Sequence, residues 1–248
     1  MTSSPSTVAE VIERLRQLAE GPRGDGVAAF SALYLRVTEG VDEGLGATTF
    51  EEPNFVTQLD ITFANLFFDA LDAYMRNPAS APHAWVPLFE QRSRRRIEPL
   101  QFALAGMNAH INRDLPVAVV STCTALRVEL LRESREHADF ERVNTLLAAV
   151  EANVRRAYLT GWVAFVDRLL HPFGHLDDVL AIWSVESARD AAWANAETLW
   201  SLRNEPALAG AFLETLDKTI GFAGRGLLVP TVSWLPVVRR RVGSGLAR

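Results

Sequence analysis

The sequence contains very little cysteine and has no long uninterrupted hydrophobic run. Its one cysteine, Cys123, cannot form an internal disulfide, so the cysteine pattern gives no sign of an oxidising compartment. No stretch reaches the roughly 18 apolar residues that indicate a transmembrane helix. The N-terminal segment 1–15 also lacks the basic start and apolar core of a secretory signal peptide. We therefore expect a cytoplasmic protein without a transmembrane span.

Charge is limited, and it is mostly arginine rather than lysine. Charged residues make up 22% of the 248 residues, the net charge is -5, and Lys218 is the single lysine among 25 basic residues. Because nucleic-acid binding needs a clustered positive surface, this balance argues against a nucleic-acid partner. Hydrophobic residues make up 48%, which is enough for a substantial core and excludes a disordered chain.

The sequence signatures of several common enzyme classes are missing. The chain has no G-x-G-x-x-G, no P-loop, no G-x-S-x-G, no C-x-x-C and no pair of E-x-x-H motifs. These absences count against dinucleotide-dependent chemistry, nucleotide hydrolysis, serine hydrolysis and di-iron oxidation. We accordingly predict an activity, if there is one, without an organic cofactor.

Hydrophobic residues recur at three- and four-residue steps through most of the chain, which is typical of amphipathic helices. The pattern predicts about seven or eight helices, including an N-terminal helix within residues 1–24. An apolar and then basic tail occupies residues 227–248. We therefore predict a single all-α domain over residues 1–248, built as a helical bundle around a buried apolar central helix.

Capping residues and prolines predict where several helices begin. Ser6 or Thr7 precedes the first helix, and Asp139 is expected to cap a long helix that continues to about residue 170. A helix over 99–133 is expected to bend at its internal proline, and a last helix is expected over 206–220.

The predicted central helix carries an unusual group of polar residues. It is apolar on nearly every side, so we expect it to be buried, and yet it contains Gln101, Asn108, His110, Asn112 and Asp114. Burying such groups without partners costs about 1 to 3 kcal/mol each. They are therefore expected to face one another, water, a ligand or a metal.

His110 and Asp114 lie one helical turn apart on a shared face. Their neighbours Ala103 and Gly106 are small, and we expect space for a substrate beside them. The carboxylate of Asp114 could orient the imidazole for proton transfer, or the two residues could form a structural hydrogen bond that orders the core. The sequence leaves both interpretations open.

Asp60 is a second polar residue in an apolar setting, on a helix predicted from about 55 to 76. It falls beside Val56, Phe63 and Phe67, on the side expected to face the core. Because a buried carboxylate needs a partner, we expect Asp60 to meet the polar groups of the central helix. Phe63 and Phe67 are expected to line an apolar pocket for a substrate.

A short motif suggests a metal-dependent alternative. The run HINRDLP at 110–116 resembles the H-x-x-x-D helix of the zinc-dependent phospholipase C and P1 nuclease enzymes, in which both side chains bind metal. The five histidines of the chain do not supply the further histidine ligands of those enzymes in the same pattern. The resemblance implies a divalent metal bound by His110 and Asp114. A metal-dependent hydrolase with Asp60 as a further ligand is therefore one alternative function.

Three longer segments together resemble a family of bacterial and fungal helical proteins of unknown function. The segments are LDITFANLFFDAL, QFALAGMNAHINRDLP and DFERVN. The resemblance covers about residues 50–228 and implies a single all-α domain without implying an activity. The positions that it singles out are Asp60, Asn108, His110, Asn112, Asp114, Asp139 and Asn144.

These observations favour an enzyme that acts on a largely apolar small molecule by acid–base chemistry, as an isomerase, cyclase, lyase or hydrolase. His110 would transfer the proton, Asp114 would orient it, and Asp60 would be a second acid or base. The amides expected to hold a polar group of the substrate are Asn108, Asn112 and Gln101. The alternatives are the metal-dependent hydrolase and a non-catalytic small-molecule carrier or interaction domain, and a homo-oligomer is compatible with each.

Overall fold

The computed structural model describes residues 4–47, 49–144 and 185–230. The described residues form eight α-helices: α1 (Val8–Ala19), α2 (Gly26–Gly46), α3 (Pro53–Arg76), α4 (Val86–Gln91), α5 (Pro99–Ala109), α6 (Leu115–Leu126), α7 (Val185–Ser201) and α8 (Pro206–Leu227). A 3-10 turn (Pro78–Ser80) follows α3, a π-helical turn (His110–Asp114) joins α5 to α6, and residues 135–144 are also helical. These ranges contain no strand, so the all-α prediction is confirmed.

The first two helices each begin at a residue whose side chain caps the helix. The Thr7 side chain accepts a hydrogen bond from the backbone N–H of Glu10. The Asp25 carboxylate accepts hydrogen bonds from the backbone N–H groups of Val27 and Ala28. Such side chains satisfy the amides that have no partner inside the first helical turn.

In the described part of the chain, the buried hydrophobic side chains form two clusters. The first lies among α1 to α5 and contains Phe30 and Trp85, whereas the second surrounds α6 and α7 and contains Trp193. Phe63 of α3 and Met107 of α5 pack against both clusters. The two clusters therefore meet beside the middle of α3 and the end of α5.

Helices α5 and α6, with the π turn between them, form the central helix that the sequence predicts. α5 packs against α2 and α8, and α6 packs against α3 and α7. This helix ends at Leu126 rather than near residue 133, because Arg127 adopts a left-handed conformation with φ 56°. Its N–H bonds back to the carbonyls of Cys123 and Thr124, which closes the last turn.

The prediction that Asp139 caps its own helix is wrong. Asp139 lies within the helical residues 135–144, and its fully buried carboxylate accepts the backbone N–H groups of Glu51 and Glu52 at 3.1 and 2.6 Å. It therefore holds the segment just before α3, which is distant in sequence. Local sequence signals identify a polar residue that suits a cap without identifying the backbone groups that it binds.

The C-terminal part of the chain differs from the prediction in one respect and is only partly described. The last described helix, α8, continues to Leu227 rather than ending near residue 220. The rest of the helix predicted after Asp139, as well as the basic part of the tail, lies outside the described residues. Among the helices that the structure describes, none combines the length and apolar character that a membrane crossing requires.

Candidate functional site

Four of the five polar residues of the central helix lie on or beside a π-helical turn, and Gln101 lies in the first turn of α5. In this turn, His110–Asp114, the backbone N–H of Leu115 bonds to the carbonyl of His110. The wide turn ends at Asp114, two residues before Pro116, which has no N–H for an ordinary helical hydrogen bond and whose ring would crowd the preceding turn. Single π turns inside α-helices are frequent at functional sites.

Asp114 is completely buried and holds His110 in a fixed orientation. Its Oδ2 accepts a hydrogen bond from Nε1 of Trp85 at 2.9 Å and lies 3.1 Å from Nδ1 of His110. Its Oδ1 accepts a hydrogen bond from the guanidinium of Arg113 at 2.7 Å. A carboxylate only accepts hydrogen bonds, so we assign the ring proton to Nδ1 of His110, which leaves Nε2 as the acceptor of the ring.

Arg113 connects this pair to the last described helix. Its Nε lies 3.6 Å from Oδ1 of Asp217 on α8. Asp217 in turn accepts the backbone N–H groups of residues 83–84, just before α4, at 2.7 and 3.0 Å. An alternating chain of anionic and cationic groups therefore runs from α8 through Arg113 to Asp114, and it fixes the orientation of His110.

Aromatic rings surround the imidazole of His110. The Phe63 ring stacks on it with 3.5 Å between the ring centroids and 5° between the planes. Tyr34 and Phe30 lie edge-on to it, at 4.6 and 5.7 Å between centroids. Burial lowers the pKa of His110, although the hydrogen bond to Asp114 opposes this shift. The imidazole is therefore neutral at neutral pH.

A cavity of about 90 Å³ lies beside His110, where the two core clusters meet. Its walls come from α2, α3, the π turn with the adjoining ends of α5 and α6, residues 135–144, and α7. The lining is mostly aliphatic and aromatic. The polar side chains among its described members are Tyr34, Asp60, His110 and Arg189. Since one water needs about 10 to 15 Å³ of such space, the cavity can hold a small organic molecule.

Three of these polar side chains each have an atom without a hydrogen-bond partner among the described residues. The atoms are Oη of Tyr34, Oδ2 of Asp60 and Nε2 of His110. The three residues are only 5%, 8% and 2% exposed. A buried polar atom without a partner costs about 1 to 3 kcal/mol, and native proteins contain few of them. All three residues line the same cavity.

The two acidic groups in the cavity wall have raised pKa values. Burial raises the pKa of Asp60 from 3.8 to about 7, and the charge of Asp42 adds to this shift. Burial also raises the pKa of Tyr34 well above its ordinary value, with further contributions from Asp60 and Asp114. At neutral pH the Tyr34 phenol is therefore a hydrogen-bond donor, and Asp60 exchanges between its acid and its base form.

The predicted amide residues lie away from the cavity, against α8. Gln101 donates at 2.9 Å to two carbonyl oxygens at and just beyond the end of α8, and Asn108 donates to the carbonyl of Ile220 at 3.1 Å. Asn112 donates to the Asn108 side chain. These amides hold α8 against the central helix, so the structure does not place Gln101, Asn108 or Asn112 at the candidate site.

The space expected beside Gly106 is filled. The Phe30 ring packs against this glycine so closely that a Cβ atom there would overlap it. The cavity lies elsewhere along α2, where Tyr34 and Val37 line it. Of the two predicted pocket phenylalanines, Phe63 lines the cavity, whereas Phe67 is fully buried in the first core cluster.

The sequence-based prediction of the site does not include two cavity residues, Tyr34 and Arg189. The hydrophobic pattern indicates Tyr34 only as part of the inner face of α2, although its hydroxyl needs a partner there. Arg189 shares a helical face with the fully buried residues Ala192, Trp193 and Ala196. A single arginine on such an apolar face is the signal that could have identified it.

The structure does not assemble the proposed metal ligands into a metal site. In the described ranges, no group of three His, Cys, Asp or Glu side chains is arranged to hold a metal ion. The oxygens of Asp114 already accept hydrogen bonds from Trp85 and Arg113. His110 and Asp60 share the cavity wall, whereas Asp114 lies behind His110 and does not line it.

The similarity to known proteins rests on one family model, which matches residues 8–230 and is described as a family of unknown function, DUF5995. The chain belongs to this family. DUF5995 membership confirms the resemblance drawn from residues 50–228 and extends it over α1 and α2. No curated protein and no solved structure matches the chain.

Proposed function

We propose that the protein is an enzyme that transfers protons on a small, largely apolar molecule without an organic cofactor, as an isomerase, cyclase, lyase or hydrolase. The observation that carries this proposal is that three residues lining one apolar cavity each have an atom without a hydrogen-bond partner among the described residues. A packed core gains nothing from such atoms, whereas a substrate with hydrogen-bonding groups would satisfy them.

His110 is the general base in this proposal. Its Nδ1–H bonds to Asp114, so that Nε2 is the free acceptor, and the lowered pKa keeps the ring neutral and ready to accept a proton. The Asp114 carboxylate would stabilise the imidazolium that forms, because it lies 3.1 Å from Nδ1. Asp114 is therefore the positioning residue.

Asp60 and Tyr34 supply the complementary groups. With a pKa of about 7, Asp60 carries a proton in much of the population at neutral pH and can donate it to the substrate. The Tyr34 phenol remains protonated and can donate a hydrogen bond to an oxygen on which negative charge develops. A base, an acid and a neutral donor on one cavity are the components of acid–base catalysis at carbon.

Deuterium incorporation tests the proposal even when the product has not been identified. The protein would be incubated in D₂O with a panel of small apolar ketones and unsaturated acids, and exchange at carbon would be measured by mass spectrometry. We expect exchange with the wild-type protein and a loss of about 100-fold or more in His110→Gln, since general acid–base catalysis contributes about 10² to 10⁴.

The controls separate catalysis from binding and from misfolding. Asp69→Asn changes an exposed carboxylate on α3, the helix that carries Asp60, and should leave exchange unchanged. His110→Gln should melt within a few degrees of the wild-type protein. If compounds bind equally well to the wild-type protein and to His110→Gln and no deuterium exchange occurs, the result would contradict the proposed enzyme. It would favour a non-catalytic small-molecule carrier instead.

A further inference from the structure

Arg189 on α7 is the fourth polar side chain of the cavity wall, and the proposed chemistry does not use it. It is 5% exposed, and its guanidinium lies over the Phe140 ring, 4.1 Å from the centroid. Its Nε donates to the side-chain oxygen of Asn144, and its Nη2 donates to the carbonyl of Phe140.

The charge of Arg189 has no direct counter-ion among the residues that the structure describes. Its hydrogen-bond partners are an amide and a carbonyl, both neutral. Burial lowers the pKa of Arg189 to about 10, while Glu141 and Asp190 act in the opposite direction, so the group stays protonated at neutral pH. A buried cation carries a large desolvation cost, which a bound anion would offset.

We propose that Arg189 binds the carboxylate of an apolar organic acid whose body occupies the cavity beside His110. This inference rests on the proposed function and names its substrate class. A guanidinium presents several N–H donors in one plane, which matches the geometry of a carboxylate.

The charges of the cavity favour a monoanion over a dianion such as a phosphate ester. Arg189 is the one permanently cationic side chain among the described members of the lining, and His110 is neutral. With Asp60 in its acid form, a single negative charge on the ligand balances Arg189, whereas a second one would be buried without a partner. The apolar lining on the remaining sides suits a hydrocarbon body.

Arg189 comes from α7, whereas Asp60 comes from α3 and His110 from the π turn. The anion-binding group and the reactive pair therefore belong to different elements of the cavity wall. A ligand anchored by its carboxylate would present another of its carbons to His110.

Matched acids and alcohols test this inference. Butanoate, hexanoate and octanoate would be titrated against 1-butanol, 1-hexanol and 1-octanol, with the histidine NMR signals of the protein as the readout. For at least one chain length we expect the wild-type protein to bind the acid about tenfold or more tightly than the alcohol, which corresponds to about 1.4 kcal/mol. Equal affinity for acid and alcohol at every length, or no binding of any acid, would overturn the inference.

Variants assign the preference to Arg189. Arg189→Met should lose the preference for acids while keeping its affinity for alcohols, and Arg189→Lys should retain part of it. Arg203→Met is the matched control, because Arg203 also lies over an aromatic ring, that of Trp200, but is exposed and does not line the cavity. If Arg189→Met does not fold, the wild-type comparison still decides the point.

The inference and the proposed function can fail separately. An acid preference that depends on Arg189, without deuterium exchange in any bound acid, would support the carboxylate site and contradict the proposed enzyme. Exchange that depends on His110 in uncharged compounds, without any preference for acids, would support the proposed enzyme and contradict the carboxylate site.

Discussion

The free-energy cost of burying a carboxylate in the cavity wall can be measured at Asp60. Its pKa is raised from 3.8 to about 7, so the folded protein holds this proton more tightly than the unfolded chain. Between these two values the folded state binds more protons, and the free energy of unfolding therefore falls as pH rises. The loss is complete above about pH 7, where both states are ionised at this position.

Replacing Asp60 with Asn should remove this pH-dependent loss. We expect the stability of Asp60→Asn relative to wild type to increase by about 2 kcal/mol between about pH 5 and about pH 8. Urea unfolding at the two pH values measures the difference. Asp69→Asn, on the exposed side of the same helix, should show no such change. A constant difference between Asp60→Asn and wild type would show that Asp60 titrates normally.

His110 and Asp114 show how far the site could be predicted residue by residue. Their contact depends on helical spacing alone, and they lie in hydrogen-bond distance as expected. The placement of Gln101 and Asn108 depends on which element packs against each face of the central helix. That element is α8 for both amides, and its position depends on the whole fold.

At the scale of helices, Gly106 shows why α5 and α2 can approach each other. The Phe30 ring of α2 occupies the place of the missing side chain. Gly210, in contrast, lies in the exposed part of α8 with no atom near the position that a Cβ would take. The two glycines therefore predict opposite effects of the same substitution.

We expect Gly106→Ala to destabilise the protein by about 1 to 3 kcal/mol, because the added methyl group overlaps a buried ring. Gly210→Ala should stabilise it by about 0.5 to 1 kcal/mol through helix propensity. Thermal or urea unfolding of the two variants provides the comparison. A neutral Gly106→Ala variant would mean that Phe30 does not fill this space.

The helix boundaries could be predicted where the signal is local. Thr7 satisfies backbone groups within three residues, so its role can be read from the sequence, whereas Asp139 satisfies the amides of residues 51 and 52. The π turn depends partly on a local signal and partly on the surrounding fold. Pro116 predicts an irregularity, but the sequence does not specify whether the helix bends or widens to accommodate it.

At the scale of the whole molecule, the cavity lies where two core clusters meet. The all-α class and the central helix follow from periodicity and hydrophobicity, which act along the chain. The cavity depends on how side chains from α2, α3, α7 and the central helix fill a shared volume. The size of such a cavity is a small difference between the volume that the helices enclose and the volume that their side chains fill. A hydrophobic pattern does not specify this difference.

The central claim is that Nε2 of His110 is an unprotonated acceptor beside a space that admits a guest. The most direct test is ¹⁵N NMR of the histidine-labelled protein, free and with added 1-hexanol, with the His110 signals assigned from His110→Gln. Val56→Phe provides a control in which a larger side chain enters the cavity, because Val56 lines it.

In the free protein we expect the proton on Nδ1 and an unprotonated Nε2. Addition of 1-hexanol should move the Nε2 signal of the wild-type protein with saturation, and it should leave this signal unchanged in Val56→Phe. A proton on Nε2 in the free protein, or a wild-type Nε2 signal that does not respond to 1-hexanol, would contradict the proposed site.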